Sequence, residues 1–216
     1  MKISTAFFCV LLLCQPAFGQ KANHELSNRV NLLFGLNQPL ILSGFNMEGN
    51  VFYGRLAFDY SHGISLDLSN DLLSGDAADQ GLTVHIPYST GFGVGYRFNE
   101  WFNLRVEPKW HKFELFYEGD RQSDANRIGS YTTFSLGLGA YVDWRPFKNT
   151  PGLLQGIMLS PSVRYWPKLS SSLDDDELTY ENRISGSTAT HEALEIGLSN
   201  TPWIVNVSLG YSISFN

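Results

Sequence analysis

Apolar residues recur at every second position along several stretches of the chain, and that period constrains the fold more than any other feature. In Trp203–Phe215 the odd positions hold Trp203, Val205, Val207, Leu209, Tyr211, Ile213 and Phe215, while the even ones hold Asn206, Ser208, Gly210, Ser212 and Ser214 beside Ile204. Successive side chains on a strand point to opposite faces, so this period predicts a strand and excludes a helix. Residues 131–145 repeat it, with Phe134, Leu136, Leu138, Ala140, Val142 and Trp144 on one face. So do residues 157–166, and residues 82–98, where Leu82, Val84, Ile86, Tyr88, Phe92, Val94, Tyr96 and Phe98 share a face opposite Gly91, Gly93, Gly95 and Arg97.

Alternation alone does not orient the faces, because a soluble lipocalin-like barrel alternates with its apolar face inward. Three features turn the apolar face outward. The expected strands run to about 15 residues, beyond the usual 5 or 6 of globular sheets. Their polar faces mix small residues with Arg, Glu, Lys and Asp, which suits a narrow filled lumen. Aromatics gather at strand ends, where Phe98, Trp101, Phe102, Trp144 and Phe147 flank the short turns as an interfacial girdle.

Residues 1–19 read as a secretory signal: Lys2 at the start, an apolar run Phe7–Leu13, and Ala17-Phe18-Gly19 as a small-x-small cleavage site. The apolar run is too short for a helical span, which needs about 20 residues. Both cysteines, Cys9 and Cys14, fall inside this segment, so residues 20–216 offer no thiol nucleophile, disulfide or thiolate metal site. A net charge of −6 provides no basic surface for nucleic acid. A chain of this kind enters a membrane as a closed β-barrel, the other structure that satisfies its own backbone hydrogen bonds.

With its signal peptide, strand alternation, cysteine-free body and aromatic-ended last strand, the chain resembles the small eight-stranded bacterial outer-membrane barrels of the OmpA-like and OmpW-like group. The resemblance covers residues 20–216. It implies an all-β, antiparallel up-and-down transmembrane barrel in the outer membrane of a Gram-negative bacterium. Its implied partners are outer-membrane lipid and lipopolysaccharide, with the barrel-assembly machinery reading Phe215 during biogenesis. Such chains usually end on the aromatic itself, whereas Asn216 follows here.

Loop lengths set the sidedness, since these barrels keep short turns in the periplasm and long loops outside. Short connections fall at Asn99-Glu100 and residues 145–153, long polar ones at 63–81, 119–128 and 169–200. Strands are expected near 203–215, 154–168, 129–145, 101–118, 82–98 and 51–62, with 28–49, broken at Asn37-Gln38-Pro39, supplying two more. Residues 191–198 are expected as a hairpin arm or short helix within the last loop.

Candidate chemistry is sparse. His62 lies near Ser61 and Ser65, and His111 near Glu114, but a Ser and His two apart on one strand face are missing: Ile64 and Phe113 stand there. The run Asp174-Asp175-Asp176-Glu177 lacks a calcium-loop glycine and reads as a solvated loop. No metal, cofactor or catalytic residue is expected. The polar strand faces instead carry Arg55, Asp59, Arg97, Arg105, Glu107, Lys109, Asp143 and Arg164. Charges at membrane depth must pair or be hydrated, so these are expected to plug the lumen, with Glu107 and Asp59 as shared acceptors for Arg105, Arg55 and Arg164. The leading expectation is a non-enzymatic barrel with a structural or surface-interaction role. The alternative is OmpW-like passage of small apolar molecules through an upper pocket near Phe113, Leu115 and Tyr117. A lipid-modifying enzyme comes third.

Overall fold

The computed structural model describes residues 26–73 and 76–215; the segment 1–19 expected to be a secretory signal and Asn216 lie outside them. Its strands are β1 (Asn28–Gly35), β2 (Phe45–Tyr53), β3 (Leu56–Leu68), β4 (Leu82–Arg97), β5 (Phe102–Tyr117), β6 (Gly129–Val142), β7 (Ile157–Tyr165), β8 (Lys168–Ser171), β9 (Glu177–Asn182), β10 (Ser187–Glu192) and β11 (Trp203–Phe215). Short helices α1 (Asn37–Ile41) and α2 (Asp76–Asp79) sit in the first two long loops.

Eight strands close a ring. Each of β1 to β6 pairs antiparallel with the next, β7 pairs with β11, and β11 returns to β1 in register from Asn28↔Phe215 to Gly35↔Ser208. The remaining strands belong to the last long loop. There β8 continues the line of β7 along β6, and β9 and β10 form a separate hairpin. That hairpin is the structure found at the start of 191–198, where His191 and Glu192 end β10.

The eight-strand count agrees with the sequence reading, but one strand is divided differently. The expected strand at 51–62 straddles a two-residue turn, in which Gly54 takes φ +53° and Arg55 follows it between β2 and β3. Apolar and aromatic residues run up to both sides of this turn without a polar break, which is why the period concealed it.

The second difference concerns facing. In the lower part of β4, Phe92, Val94 and Tyr96 are exposed outward, and in the upper part Leu82, Val84 and Ile86 are buried inside. All six have even numbers, and the sequence reading placed them on one face. A bulge between His85 and Ser89 inserts one residue against β5 and flips the parity. Pro87, which has no N–H to give a ladder, lies within it. Opposite it, β3 changes phase at Ser65, held at φ +52°, so Asp59 and Ser61 face inward below and Leu66 and Leu68 above.

The ring therefore has two storeys. The lower one is apolar outside and polar inside. The upper one is built like a soluble protein, with Leu66, Leu68, Leu82, Val84, Ile86, Phe113, Leu115, Tyr117 and Tyr131 enclosing an apolar core beneath Ala193 and Leu194. Aromatics mark both limits of the lower storey. Tyr96, Phe98, Phe102 and Trp101 touch in that order at the periplasmic rim, and Phe92–Trp110–Phe134 with Tyr165–Trp203 form the outer line. Trp144 and Phe147 are exposed at the periplasmic end as well. The eight-residue rise from Phe102 to Trp110 corresponds to about 20 Å along the barrel axis at a tilt near 40°.

Small residues inside admit large ones. A Cβ on Gly137 would fall onto the Trp166 indole, which turns inward where β7 gives way to β8. Gly137→Val should lower the urea midpoint of the refolded protein by an amount equivalent to about 1–3 kcal/mol, the usual cost of overpacking. Gly49→Val, on the outer face with open space around its position, should leave the midpoint unchanged.

Candidate functional site

The polar interior is organised in two ionic layers. At the periplasmic end Arg29, from β1, donates to Glu100 Oε2 at 2.9 Å and to Asp143 Oδ2 at 2.7 Å. Asp143 also accepts from Asn103 and Ser160, at 3.2 and 3.1 Å. Arg97 donates to the carbonyls of Ser27 and Gly54, each at 2.9 Å, and lies 3.4 Å from Glu100. Glu100 sits in the turn below β4 and collects Arg145 too, at 3.0 Å. Burial alone would raise its carboxyl, but the Ser27 N–H and hydroxyl together with Arg29 and Arg97 outweigh that and hold it below the usual carboxylate range.

Halfway up the lumen, Arg105 reaches across to Glu48 at 2.6 Å and Asp59 at 3.2 Å, and Arg164 reaches the other oxygen of Glu48 at 3.4 Å. Glu107 is held differently: the Tyr141 hydroxyl donates to one oxygen at 2.5 Å and the Trp166 indole N–H to the other at 3.0 Å. Arginines also stack on inward-facing rings. Arg29 and Arg97 lie 4.6 and 4.8 Å from the centroid of Phe52, and Arg105 lies 3.9 Å from that of Tyr141.

Of the residues singled out from sequence, Asp59, Arg97, Arg105, Glu107, Lys109, Asp143 and Arg164 are buried inside the ring. Arg55 is not. It is exposed in the β2–β3 turn, 3.5 Å from the Phe98 carbonyl, because the strand thought to carry it is interrupted there. The shared acceptor is also a different residue. Glu48 bridges Arg105 and Arg164, while Glu107 faces the Tyr141 and Trp166 side of the lumen. Arg29, Glu48, Phe52, Glu100 and Tyr141 were missed. A signal for Glu48 was available, since Asn46, Glu48 and Asn50 alternate with Phe45, Met47 and Val51.

Above the ionic layers, Ser89 Oγ lies 2.8 Å from His111 Nδ1 across β4 and β5. Phe113, Leu115 and Tyr117 are packed in the upper core and are not among the residues lining the cavity of about 240 Å³ below it. That core is roofed by the β9–β10 hairpin. Tyr180 donates to Gln80 at 2.6 Å, Arg183 lies over the Tyr117 ring at 4.2 Å, and His191 Nε2 lies 3.1 Å from the Tyr131 hydroxyl. Burial pushes the His191 imidazole down to about 4, and the Lys168 charge adds to it.

A closed eight-stranded ring with an apolar belt outside and an ionic interior defines an outer-membrane β-barrel. No protein-family model and no curated protein sequence matches the chain. Among solved structures it is similar to Ail, the attachment invasion locus protein of Yersinia pestis, in complex with the heparin analogue sucrose octasulfate. The identity is 14% over 87% of this chain and 100% of that one, with a TM-score of 0.41. It is also similar to a major outer membrane protein from Thermus thermophilus, at 14% identity over 88% and 99% of the two chains, with a TM-score of 0.44. The structure of Ail in a phospholipid bilayer nanodisc gives 16%, 87%, 99% and 0.36 in the same order.

Two predictions follow from this interior. Glu48→Gln leaves Arg105 and Arg164 without their common anion, so the urea midpoint in lipid should fall by the equivalent of about 3–5 kcal/mol. Asp175→Asn, on the exposed acidic loop, should have no measurable effect. The His191 contribution has the opposite pH sense from a salt bridge that needs a charged imidazole. A folded value of about 4 lies below the ordinary 6.5, so the native hairpin binds fewer protons than the released one. Its stabilisation, on the order of 3 kcal/mol at most, is complete above pH 6.5 and is lost as pH falls through 4. The hydrogen-exchange protection factors of residues 177–192, taken relative to the intrinsic rate at each pH, should fall over that window, and His191→Gln should remove the dependence.

Proposed function

We propose that this protein is a non-enzymatic, non-conducting barrel whose role is structural or surface-interactive, exercised by what it holds above the outer membrane. What supports this reading is the way side chains occupy the interior at both levels. Two ionic layers fill the lower storey, and an apolar core under a β-hairpin fills the upper one. An eight-stranded ring has room inside for side chains or one small ligand, so a filled interior leaves no aqueous path. OmpW-like passage of apolar molecules is disfavoured because any route down from the upper storey meets buried charge.

The upper storey suits display. Ion pairs and hydrogen bonds such as Asp67–His85 at 2.6 Å and Arg127–Glu114 at 3.1 Å cover its outer surface, and the last loop is ordered by β8, β9 and β10. Outer-membrane lipid and lipopolysaccharide are the surroundings that its apolar belt and rims fit. Phe215, paired with Asn28 at the seam of the ring, is the residue offered to the assembly machinery.

Planar-bilayer recordings of the reconstituted protein should show no stable open level, and a steady single-channel conductance would refute the closed-lumen reading. Sidedness is checked independently with an impermeant thiol reagent on intact cells. Asp175→Cys should be labelled and Asn99→Cys should not; the reverse pattern would invert the barrel.

A further inference from the structure

We infer that the barrel wall carries a binding site for a single-chain amphiphile with one anionic head, entered from the outer leaflet between the upper ends of β1 and β11. The wall is incomplete there. β1 stops at Gly35 opposite Ser208, whereas β11 extends five residues farther up, to Trp203. Where β1 would have continued, the chain turns into α1. In place of a strand, the edge of β11 receives the Leu36 N–H at Val207 O, 2.9 Å, and the Asn37 side chain at Val205 O, 2.5 Å.

Behind this edge lies a cavity of about 240 Å³. Ile41, Leu198 and Trp203 line it and are exposed, beside Asn37 and Gln38 of α1, so its mouth is largely apolar and lies at the height of the Tyr165–Trp203 pair, the outer aromatic line. Leu66 and Ile86 line it from the upper core, and Lys109 and Arg164 from the ionic layer. The site thus grades from a hydrocarbon entrance to a cationic end.

Lys109 supplies the argument for an anion. It is 2% exposed, its ammonium donates to the Ser61 hydroxyl, and it lies 4.5 Å from the centroid of the Trp166 ring. Among the described residues no carboxylate oxygen comes within 4.0 Å of it; Glu107, two residues away on the same face, is engaged by Tyr141 and Trp166. A buried ammonium without a contacting counter-ion is unfavourable, and an incoming carboxylate or phosphate head would relieve it. Size selects the rest of the ligand. The volume is below the 300–1,000 Å³ typical of drug-sized ligands, which admits one head and the first part of one chain but not a multi-acyl lipid. The tail then runs out past Trp203 into the leaflet. Because the ionic layers close the lumen beneath it, the arrangement is a binding site and not a conduit.

The test uses the full barrel in phosphatidylcholine nanodiscs with carboxyl-¹³C lauric acid as probe. A bound carboxylate resonance absent from empty nanodiscs is expected. Dodecyl phosphate should displace it, dodecanol should need at least about tenfold more, and inorganic phosphate should not compete, since both charge and chain contribute. Lys109→Met should weaken laurate at least about tenfold and Lys109→Arg should largely restore it. Should Lys109→Met fail to fold, Ile204→Trp fills the cavity without touching a charge and should also abolish the resonance. Equal displacement by dodecanol and dodecyl phosphate, displacement by inorganic phosphate alone, or a bound signal that survives Ile204→Trp would each overturn the assignment.

Discussion

Inside a bilayer no water is available to backbone N–H and C=O groups, and the rest of this structure depends on that constraint. A sheet there must have no edge, so β1 and β11 close on each other. Closing after eight strands leaves a lumen too narrow for a water column, so side chains have to fill it. Packing large polar groups in so small a space requires inward glycines, and Gly91, Gly93, Gly137 and Gly139 each stand against a bulky or charged neighbour: Lys109, Asp59, Trp166 and Tyr141. Charges then follow from geometry. A guanidinium that crosses the lumen can meet a carboxylate on the far wall, as Arg105 does with Glu48, and desolvated pairs of this kind hold only when their other hydrogen bonds are also provided. Asn103 accepts from Arg105 Nε and Ser162 from Arg164 Nε, at 2.8 and 3.2 Å, which meets part of that requirement.

The same strands must serve two solvents. Below the outer aromatic line the exterior is hydrocarbon and the interior polar; above it the exterior is water, and stability requires the interior to be apolar. β5 meets both demands by composition alone. Its inward positions run Asn103, Arg105, Glu107, Lys109, His111, Phe113, Leu115, Tyr117, polar first and apolar last, with no break in parity. β3 and β4 meet them by geometry, shifting phase at Ser65 and at the bulge that holds Pro87. A one-residue slip exchanges the two faces of a strand, so a single bulge turns an apolar row from lipid to core.

These two solutions explain what the sequence could and could not disclose. β6 and β11 keep one parity throughout, and their faces were readable by counting. β5 announced its change of solvent where apolar residues appear on its inner face beyond Trp110. β4 did not, because Leu82, Val84 and Ile86 share parity with Phe92, Val94 and Tyr96, and the bulge that separates them leaves no trace in an even–odd pattern. The ionic partners were hidden for another reason. Individual charges could be assigned to a polar face, but Glu48 is 57 residues from Arg105 and 116 from Arg164, and which walls meet across the lumen depends on ring order and shear. Arg55 was misplaced by the same limit at short range, since a Gly-Arg turn between two aromatic stretches disturbs the alternation too little to be seen.

The height at which the two storeys meet is where packing is most difficult, and there the structure is least complete. Groups suited to the ionic interior (Ser61, Ser89, Lys109) and groups suited to the apolar core (Leu66, Ile86) line one cavity at that level. Among the described residues the lower storey and its rim contain six cations, Arg29, Arg97, Arg105, Lys109, Arg145 and Arg164, and five acids, Glu48, Asp59, Glu100, Glu107 and Asp143, so one cation is in excess. Position sharpens the imbalance. Glu100 is committed to the periplasmic rim and Glu48 is shared by two arginines. Among the described residues Lys109, highest in the ionic set and next to the cavity, is left with a hydroxyl and an indole face. Ending β1 at Gly35 brings the membrane to that same height. A short strand, a change of solvent and a displaced ammonium thus coincide at one place in the wall, and that coincidence distinguishes the cavity from an ordinary packing defect.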